Sequence, residues 1–445
     1  MHVHILGICG TFMAGIAAIA REAGHRVTGS DANAWPPMST QLEQLGIEVM
    51  RGYAPEHLEP TPDAIIVGNV MTRGNILVEH LLATDAPLVS GPQWLAEHVL
   101  RGRHVLAVAG THGKTTTSAM LTHILRATGQ EPGWLVGGFA ADLGVSAALG
   151  SGPCFVIEAD EYDTAFFDKR SKFVHYRPRT LVLNNLEFDH ADIFDDLRAI
   201  ERQFQHLLRT VPAHGQIIVN GADDNLARVL AAGCWTPTIA FGDDQPWRVG
   251  DDGQLWQAAR CIGPLTLTQP GAHNRSNAVA AVAAAMDVGV DPEDALAALA
   301  TFRGVRRRME LRGTVAGVQV FDDFAHHPTA IQATLDAARD LDAGRVLAVL
   351  EPRSNTMRMG THAEQLAASL QAATHSFVYA PPGLGWDASQ ALAPLGARLT
   401  VATELDALVK AVVAEARSGD AVLVMSNGDF GGVHQRLLDA LHDKA

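Results

Sequence analysis

Cysteine is scarce in this 445-residue sequence, which contains only Cys9, Cys154, Cys234 and Cys261. The four residues show neither a C-x-x-C spacing nor the spacing typical of a disulfide framework. A disulfide-stapled secreted domain is therefore excluded. We expect reduced thiols and a cytoplasmic protein.

Long hydrophobic runs are also missing. The alanine-rich apolar stretches are too short or too interrupted to span a bilayer, and the opening MHVHILGICG has no basic leader before its glycines. We therefore expect no signal peptide and no membrane insertion.

Positive charge is in deficit, with 34 Lys and Arg against 49 Asp and Glu, a net charge of −15. A chain with this balance lacks the broad basic surface that nucleic acids or anionic membranes attract, so we expect no nucleic-acid partner. Anionic small molecules would instead be met by glycine loops, helix N-termini and single Lys or Arg residues.

The remaining composition is that of a globular protein, with 47% hydrophobic and 19% charged residues. Short apolar strands alternate with helical patterns along the whole chain, which predicts an α/β fold with open parallel sheets. We divide it into three blocks, 1–100, 101–311 and 312–445. The first and third have the pattern of doubly wound α/β layers.

The stretch AVAGTHGKTTTSAM, 107–120, is similar to a phosphate-binding loop with a piece missing. The usual loop is G-x-x-x-x-G-K-[ST], but Val108 stands where its first glycine belongs. The shortened G-T-H-G-K-T lies between an apolar strand and an amphipathic helix, where backbone N–H groups favour an anion. Lys114 would then contact the β- and γ-phosphates, and Thr115 would offer a hydroxyl to Mg²⁺. The alternative is a glycine turn with a solvated lysine.

Two further strands in the second block end in polar residues, at the edge where α/β sheets bind ligands. FVIEADEYD, 155–163, ends in four carboxylates, of which we choose Glu158 to hold magnesium. RTLVLNNLEFDHADIF, 179–194, carries Asp189 and His190, and we predict His190 as a ligand of a second metal. A hydrogen-bonded loop histidine is the alternative.

Four other motifs contain candidate site residues. In GAHNRSNAVAAVAAA, Asn274 is most simply the N-cap of an Ala/Val-rich helix, although His273, Asn274 and Asn277 could also contact a base edge. The arginines of GVRRRME, 304–310, are either a solvated run or a phosphate clamp.

In FDDFAHHPTA, His326 and His327 follow a strand end, with Pro328 at a predicted helix N1 position. His326 is a candidate base for an attacking amine, and two hydrogen-bonded loop histidines are the alternative. In EPRSNTMRMG, Arg353 and Arg358 stand on a predicted loop after a strand, spaced to bind carboxylates.

Six of these motifs, together with GICGTFMAGIA near the start of the chain, resemble one family: GTHGKTTT, IEADEYD, NNLEFDHAD, GAHNRSN, GVRRRME and DDFAHHPTA. They resemble the Mur ligases, the ATP-dependent amide-forming enzymes of peptidoglycan synthesis, whose shortened phosphate loop is G-T-x-G-K-[TS]. The resemblance implies a three-domain architecture, with a Rossmann-like N-terminal domain, a central P-loop ATPase domain and a Rossmann-like C-terminal domain.

Further stretches resemble one subgroup of that family: EADEYDTAFFDKRSKFVHYRP, FDHADIFDDL and EPRSNTMRMG. That subgroup joins the murein tripeptide L-Ala-γ-D-Glu-meso-diaminopimelate to UDP-N-acetylmuramate through an acyl phosphate. A sister ligase that adds L-alanine instead tends to have G-x-G-G-x-G-M-S-G near its start and E-A-D-E-S-D in the central strand. The cofactors implied are ATP and Mg²⁺.

The resemblance also assigns residues. It places the ATP phosphates on Gly110, Thr111, His112, Gly113, Lys114, Thr115 and Thr116. It places one Mg²⁺ on Thr115 and Glu158, and the second metal at His190. Adenine would lie toward Asn274 and Asn277, while Arg307 and Asp323 would reach the nucleotide from the third block. The UDP-sugar would be held by Gly7, Cys9, Gly10, Thr11, Ser30, Asp31 and Asn69. The peptide would be held by Arg353, Asn355 and Arg358.

The sequence departs from the family in two places. Other members carry a carbamylated lysine on the helix after the Asp-His pair, but here the helix contains IERQFQ, with Arg202 and Gln203 and no lysine. In SNGDFGGVH, Asp429 stands where we expect a glycine.

Three other functions are alternatives. The sister activity, UDP-N-acetylmuramate–L-alanine ligase, would use the same loop. A nicotinamide-dependent oxidoreductase would use GICGTF as its dinucleotide fingerprint, although that stretch has no clear G-x-G. A non-catalytic regulator would bind ATP without releasing phosphate. The sequence does not indicate whether the protein is a monomer or an oligomer.

Overall fold

The computed structural model describes residues 1–34, 38–341 and 344–444. Its strands form three large sheets of five, ten and six strands, together with one two-stranded hairpin. No helix in these ranges is both long and apolar enough to cross a membrane.

The five-stranded sheet is entirely parallel, with the order β3-β2-β1-β4-β5. Its apolar strands are short and its core residues, such as Ile5 and Ile66, are fully buried. The strands are β1 (His2–Leu6), β2 (Arg26–Asp31), β3 (Glu48–Arg51), β4 (Ala64–Val67) and β5 (Leu88–Ser90). The helices are α1 (Thr11–Glu22), α2 (Met38–Gln44), α3 (Ile76–Ala83) and α4 (Gly91–Leu95).

The ten-stranded sheet combines parallel strands in its middle with antiparallel pairs at both edges, in the order β17-β16-β15-β14-β13-β12-β6-β9-β7-β8. Its strands are β6 (His104–Ala109), β7 (Gly133–Leu135), β8 (Ala147–Ala148), β9 (Cys154–Glu158), β12 (Thr180–Leu183), β13 (Gln216–Asn220), β14 (Thr238–Phe241), β15 (Trp247–Val249), β16 (Gln254–Gln257) and β17 (Arg260–Pro264). The hairpin is β10 (Asp163–Ala165) and β11 (Asp168–Ser171). The helices of this region are α5 (Lys114–Ala127), α6 (Leu197–Leu208), α7 (Asp224–Ala231), α8 (Ala272–Met286) and α9 (Pro292–Leu299).

The six-stranded sheet has the order β18-β19-β23-β20-β21-β22 and is parallel except for its edge strand β18. Its strands are β18 (Glu310–Val315), β19 (Val318–Asp323), β20 (Val346–Leu350), β21 (His375–Tyr379), β22 (Leu399–Ala402) and β23 (Ala421–Met425). The helices are α10 (Pro328–Ala338), α11 (Asn355–Met359), α12 (Ala363–Ser369), α13 (Ala388–Ala391), α14 (Leu405–Glu415) and α15 (Val433–Lys444).

Strand β20 shows why this sheet needs helices on both faces. Its five residues, VLAVL, are all buried, and they alternate between two hydrophobic clusters. Ala348 and Leu350 pack in one cluster with Leu366 of α12, while Val349 packs in the other with Leu437 of α15. A continuous apolar run is what a parallel strand covered on both faces requires.

Internal contacts divide the chain into two compact units. The first unit is Met1–Glu187, Arg198–Thr266 and Ser276–Phe302, and the second is Phe188–Leu197, Leu267–Arg275 and the chain from Arg303 onwards. The predicted α/β class with open parallel sheets is confirmed. The proposed boundaries at residues 100 and 311 stay a prediction.

Two local predictions were wrong. Asn274 is not an N-cap, because α8 begins two residues earlier at Ala272, and its Nδ2 donates back to the Pro270 carbonyl over 2.7 Å. Arg358 does not lie on a loop, because Ser354 caps a short helix, α11, that contains it. The predicted N1 position of Pro328 is confirmed, with His327 as the N-cap.

Replacing Leu350 by Ala should lower the free energy of unfolding of the second unit by about 2–5 kcal/mol, because it removes fully buried atoms and leaves a cavity. Urea unfolding monitored by hydrogen exchange in β20 and β23 would measure this. Leu311→Ala on edge strand β18, where the leucine is 50% exposed, is the matched control and should change stability by about 0.5 kcal/mol or less. Equal losses in both variants would contradict the packing described.

Candidate active site

The phosphate loop lies at the turn between β6 and α5. Strand β6 ends at Ala109, and α5 begins at Lys114 after Gly113, an N-cap without a side chain. Gly110 and Gly113 have φ values of 142° and 80°, a region that favours glycine. The first N–H groups of a 14-residue helix thus face the turn with no side-chain cap, which suits an anion.

Two asparagines leave no room for a side chain at Gly113. A Cβ on Gly113 would lie 2.5 Å from Asn277 Oδ1 and 2.9 Å from Asn184 Nδ2. Asn184 Nδ2 also donates to Thr117 Oγ1 over 2.9 Å. The close packing of amides against the loop therefore explains the glycine.

The chain after β12 braces the loop from its other side. The backbone N–H of His112 donates to Asn185 Oδ1 over 2.7 Å, and Asn185 Nδ2 donates to the His112 carbonyl over 3.2 Å. The N–H of Glu187 donates to Thr111 Oγ1 over 2.8 Å, and Glu187 Oε2 lies 3.1 Å from His112 Nε2. The NNLE motif thus fixes the shape of the loop.

The ammonium of Lys114 is paired with Glu161, whose side chain is 3% exposed, over 2.9 Å, and it also donates to the Gly110 carbonyl. Burial disfavours the charged lysine, but the carboxylates of Glu161, Asp160 and Glu158 outweigh it and raise the pKa of Lys114. Lys114 is therefore a fixed positive charge at the loop. The sequence analysis did not single out Glu161, although the carboxylates of EADEYD could have signalled it.

The two residues predicted to hold one magnesium ion lie together. Thr115 Oγ1 donates to Glu158 Oε1 over 3.0 Å, and the N–H of Gly137 donates to Glu158 Oε2 over 2.7 Å. Burial is the main reason that the pKa of Glu158 is raised, which means that a nearby cation would stabilise its ionised form. One hydroxyl and one carboxylate fit a magnesium ion whose other ligands are phosphate and water.

The two predicted adenine residues fall in different units. Asn277 lies in the first unit, where its Oδ1 is 3.4 Å from Asn184 Nδ2 beside the phosphate loop. Asn274 lies in the second unit and is buried.

The second unit contains a cluster of imidazoles around Asp189. Burial favours the neutral acid, but His190, His326 and His327 together lower the pKa of Asp189 well below its usual range. His190 has a left-handed φ of 57° and its N–H donates to Asp189 Oδ1 over 2.7 Å. The predicted metal ligand and the predicted base are therefore neighbours of one carboxylate.

His362, which the sequence analysis missed, also belongs to this cluster. Its ring centroid lies 4.5 Å from that of His327 and 6.5 Å from that of Phe188. His362 precedes α12 and no local motif signals it, so only the tertiary structure could identify it.

Arg307 and Asp323 both make protein contacts within the second unit. The guanidinium of Arg307 donates to the carbonyls of Ser426 and Gly428 over 2.6 and 2.5 Å. Asp323 is buried, and its carboxylate accepts hydrogen bonds from Met309, Ala325 and Thr334. These bonds tie both side chains to neighbouring segments of the second unit, and their predicted nucleotide contacts stay a prediction.

The three predicted peptide residues are exposed but differ in their partners. Arg353 faces Glu351 and Asp429 at 3.8 and 3.6 Å. Asn355 Nδ2 donates to Asp192 over 2.8 Å. The guanidinium of Arg358 makes no hydrogen bond or ion pair with any residue that the structure describes, so its five donors remain available to a ligand.

Most of the predicted UDP-sugar residues line one cavity of about 540 Å³ in the first unit, together with Thr164 and Lys172. These residues are Gly7, Cys9, Gly10, Thr11, Asp31 and Asn69. The volume is in the range of small-molecule sites. Thr164 and Lys172 follow the EADEYD carboxylates in sequence and were not predicted.

Asp31 builds this cavity, since its two oxygens accept the N–H groups of Cys9 and Asn33 over 2.9 and 2.8 Å. Burial and the Asp31 carboxylate raise the pKa of the Cys9 thiol to about 11, so Cys9 is neutral at physiological pH. Ser30 departs from its predicted role because its hydroxyl is fully buried between His4 and His57, over 2.9 and 2.8 Å.

The helix that carries a carbamylated lysine in other members has a neutral amide here. Gln203 Oε1 lies 3.2 Å from Ser171 Oγ, which also lies 2.6 Å from the Glu161 carbonyl. The Ser171 hydroxyl therefore lies between this amide and the backbone of the residue that pairs with Lys114.

A phosphate loop at the end of a parallel strand, braced by strand-end carboxylates, defines the class of P-loop nucleotide-binding enzymes. Three models of one family match the chain: the Mur ligase family catalytic domain over residues 2–103, the Mur ligase middle domain over 108–285 and the Mur ligase glutamate ligase domain over 307–428. The chain therefore belongs to the Mur ligase family of ATP-dependent amide ligases, and the resemblance predicted from its motifs is confirmed.

Individual relatives extend over the whole chain. A UDP-N-acetylmuramate–L-alanyl-γ-D-glutamyl-meso-2,6-diaminoheptandioate ligase from Escherichia coli K12 is 53% identical over 453 residues, which cover 100% of this chain and 99% of that enzyme. A solved murein peptide ligase from Psychrobacter arcticus 273-4 is 46% identical with a TM-score of 0.75, covering 100% and 99%. A UDP-N-acetylmuramate–L-alanine ligase from Renibacterium salmoninarum is 35% identical, covering 99% and 96%.

Replacing Gly113 by Ala should abolish binding of a non-hydrolysable ATP analogue, because the new Cβ would meet Asn277 at 2.5 Å in a left-handed turn. Gly129→Ala is the matched control, since Gly129 has a φ of 75° but no atom within 4 Å of its Cβ. Calorimetric titration should show loss of binding only in the first variant. Equal affinities would refute the close packing of this loop.

Proposed function

We propose that this Mur ligase joins the tripeptide L-Ala-γ-D-Glu-meso-diaminopimelate to UDP-N-acetylmuramate, with conversion of ATP to ADP and phosphate, in murein recycling. The supporting observation is the 53% identity over the full chain with the tripeptide ligase of Escherichia coli, against 35% with the L-alanine ligase of Renibacterium salmoninarum.

The first step makes the muramyl carboxylate reactive. One carboxylate oxygen attacks the γ-phosphorus of ATP, the bond to the β-phosphate bridging oxygen breaks, and an acyl phosphate forms as ADP leaves. Two anions approach each other in this step, so a positive charge at the loop lowers the barrier. Lys114 supplies it, since its ammonium is held at the Gly110 carbonyl and beside Glu161.

Magnesium would be held by Thr115 and Glu158, where a hydroxyl and a half-buried carboxylate lie 3.0 Å apart. When bound, it would neutralise charge on the phosphates. Gly110 to Thr116 would cradle those phosphates, and Asn277 would lie on the adenine side. We keep Asn274, Arg307 and Asp323 as predicted nucleotide contacts, and His190 as the predicted ligand of a second metal.

The second step forms the amide bond. The α-amine of the tripeptide attacks the acyl carbon, a proton leaves the nitrogen, and phosphate departs from the tetrahedral intermediate. We assign His326 as the base. Its Nδ1 lies 2.8 Å from the Phe324 carbonyl, which places the proton of the neutral ring on Nδ1 and the lone pair on Nε2.

The sugar nucleotide would occupy the cavity of about 540 Å³ that Gly7, Gly10, Thr11 and Asn69 line. Of the peptide residues, Arg358 is the strongest candidate because its guanidinium is exposed and makes no hydrogen bond or ion pair within the described chain, whereas Arg353 faces two carboxylates.

The cytoplasmic location inferred from the cysteines stays a prediction.

The substrate assignment is tested by phosphate release from ATP with UDP-N-acetylmuramate and either the tripeptide or L-alanine. We expect release and a coupled product with the tripeptide, and a rate at least tenfold lower with L-alanine. Equal use of L-alanine would replace this assignment with the alanine-adding activity. If no phosphate is released with either amine, the protein would instead be a non-catalytic nucleotide-binding regulator.

Arg358→Ala should raise the tripeptide KM by roughly tenfold to a hundredfold, because losing one partner of a charge-assisted hydrogen bond costs about 1.5–3 kcal/mol. The KM for ATP should stay within about twofold in the same steady-state assay. Arg353→Ala is the comparison variant, and its effect should be smaller since Glu351 and Asp429 already face that guanidinium. An unchanged tripeptide KM in Arg358→Ala would remove Arg358 from the peptide site.

A further inference from the structure

Lys172 places a nearly buried cation in the cavity of about 540 Å³, although the sequence analysis assigned it no role. Its side chain is 9% exposed, and its Nζ lies 3.1 Å from Asp160 Oδ2. The same Nζ lies 5.4 Å from the ring centroid of Phe12 and 5.6 Å from that of Tyr162. Two aromatic rings and one carboxylate thus hold the ammonium in place.

The charges around this cavity are few. Among its described lining residues, only Asp31 and Lys172 carry a formal charge at neutral pH. One oxygen of Asp31 accepts the N–H of Cys9, in the turn before α1, and the other accepts the N–H of Asn33. Lys172 is therefore the cation that the described lining offers to an anionic ligand.

The ammonium also keeps bonding capacity. Lysine has three N–H donors, and the bond to Asp160 uses one of them. The ammonium donates to no other residue that the structure describes. A second anion on the cavity side would use the remaining donors without displacing Asp160.

The position of Lys172 indicates which part of a ligand it meets. Phe12 is the second residue of α1, so the ammonium stands beside the first turn of a 12-residue helix. Gly10 precedes that helix without a side-chain cap, which leaves the first N–H groups facing the cavity that Gly10, Thr11 and Phe12 line. A helix N-terminus and an ammonium that converge on one spot suit a doubly charged phosphate group.

We propose that Lys172 binds the diphosphate of the sugar nucleotide. This deepens the proposed function, on which it rests. Lys172 follows the hairpin β10–β11, directly after Ser171, whereas α1 packs on the five-stranded N-terminal sheet. Sugar-nucleotide recognition would then join these two parts of the first unit.

Binding measurements on the full chain test this proposal. UDP and UDP-N-acetylmuramate are titrated calorimetrically in the presence of a saturating ATP analogue, so that neither occupies the phosphate loop. Lys172→Ala should weaken both by roughly tenfold to a hundredfold, since the lost bond is charge-assisted and partly desolvated. Lys172→Arg should recover part of the affinity because it restores the charge.

Lys169→Ala is the matched control, because it removes the same charge only three residues away in sequence. The Lys169 side chain is 68% exposed and paired with Asp163. This variant should leave both affinities unchanged. Binding of the ATP analogue to Lys172→Ala verifies that the variant is folded, and Lys172→Met, which keeps the apolar stem, replaces it if that binding is lost.

Three results would overturn the proposal. The first is unchanged UDP affinity in a folded Lys172 variant. The second is an equal loss in Lys169→Ala, which would reduce the effect to overall charge. The third is a loss for UDP-N-acetylmuramate but not for UDP, which would move Lys172 to the muramyl carboxylate. Ligation of the tripeptide by the unmodified enzyme tests the proposed function separately, because it does not depend on which residue binds the diphosphate.

Discussion

The ammonium of Lys114 lies 2.9 Å from a carboxylate oxygen of Glu161, and both side chains are almost completely buried. A buried ion pair is costly unless the surrounding groups are well placed, so the elements that carry it must be fixed. Lys114 begins α5 directly after β6, while Glu161 follows β9. Strands β6 and β9 are hydrogen-bonded neighbours in parallel register, with Val108 opposite Glu158. The central sheet therefore determines the charge arrangement of the nucleotide site.

The same strand ends explain the supporting interactions. β12 pairs with β6 on the side opposite β9, and the chain that follows it places Asn184 and Asn185 against the glycines of the loop. The chain after β9 continues from Glu158 through Asp160 to the hairpin that precedes Lys172, whose ammonium pairs with Asp160. One edge of the ten-stranded sheet thus supplies the loop and its braces, and the chain that leaves this edge leads to the cation of the neighbouring cavity. This concentration follows from parallel strands, whose carboxyl ends meet at a common edge.

Much of the site could be predicted from the sequence because its motifs are local. The strand, the glycine turn and the helix of AVAGTHGKTTTSAM are consecutive in the chain, and the paired positions of Thr115 and Glu158 follow from the ends of adjacent strands. The N1 proline of α10 depends on local backbone preferences and was predicted correctly. Predictions failed where a local signal competed with another one, as at Asn274, where the helix begins earlier than the capping preference indicates.

By itself, the sequence determined the α/β class, the phosphate loop and the family, since these depend on periodicity and on short contiguous motifs. Only the tertiary structure decided which carboxylate pairs with Lys114, that Ser30 is buried between two histidines, and that His362 joins His327. It also decided that Lys172 lies beside Phe12, a residue about 160 positions earlier in the chain. The reason is physical: side-chain partners far apart in sequence are selected by how sheets and helices pack, and packing depends on the whole fold rather than on any local pattern.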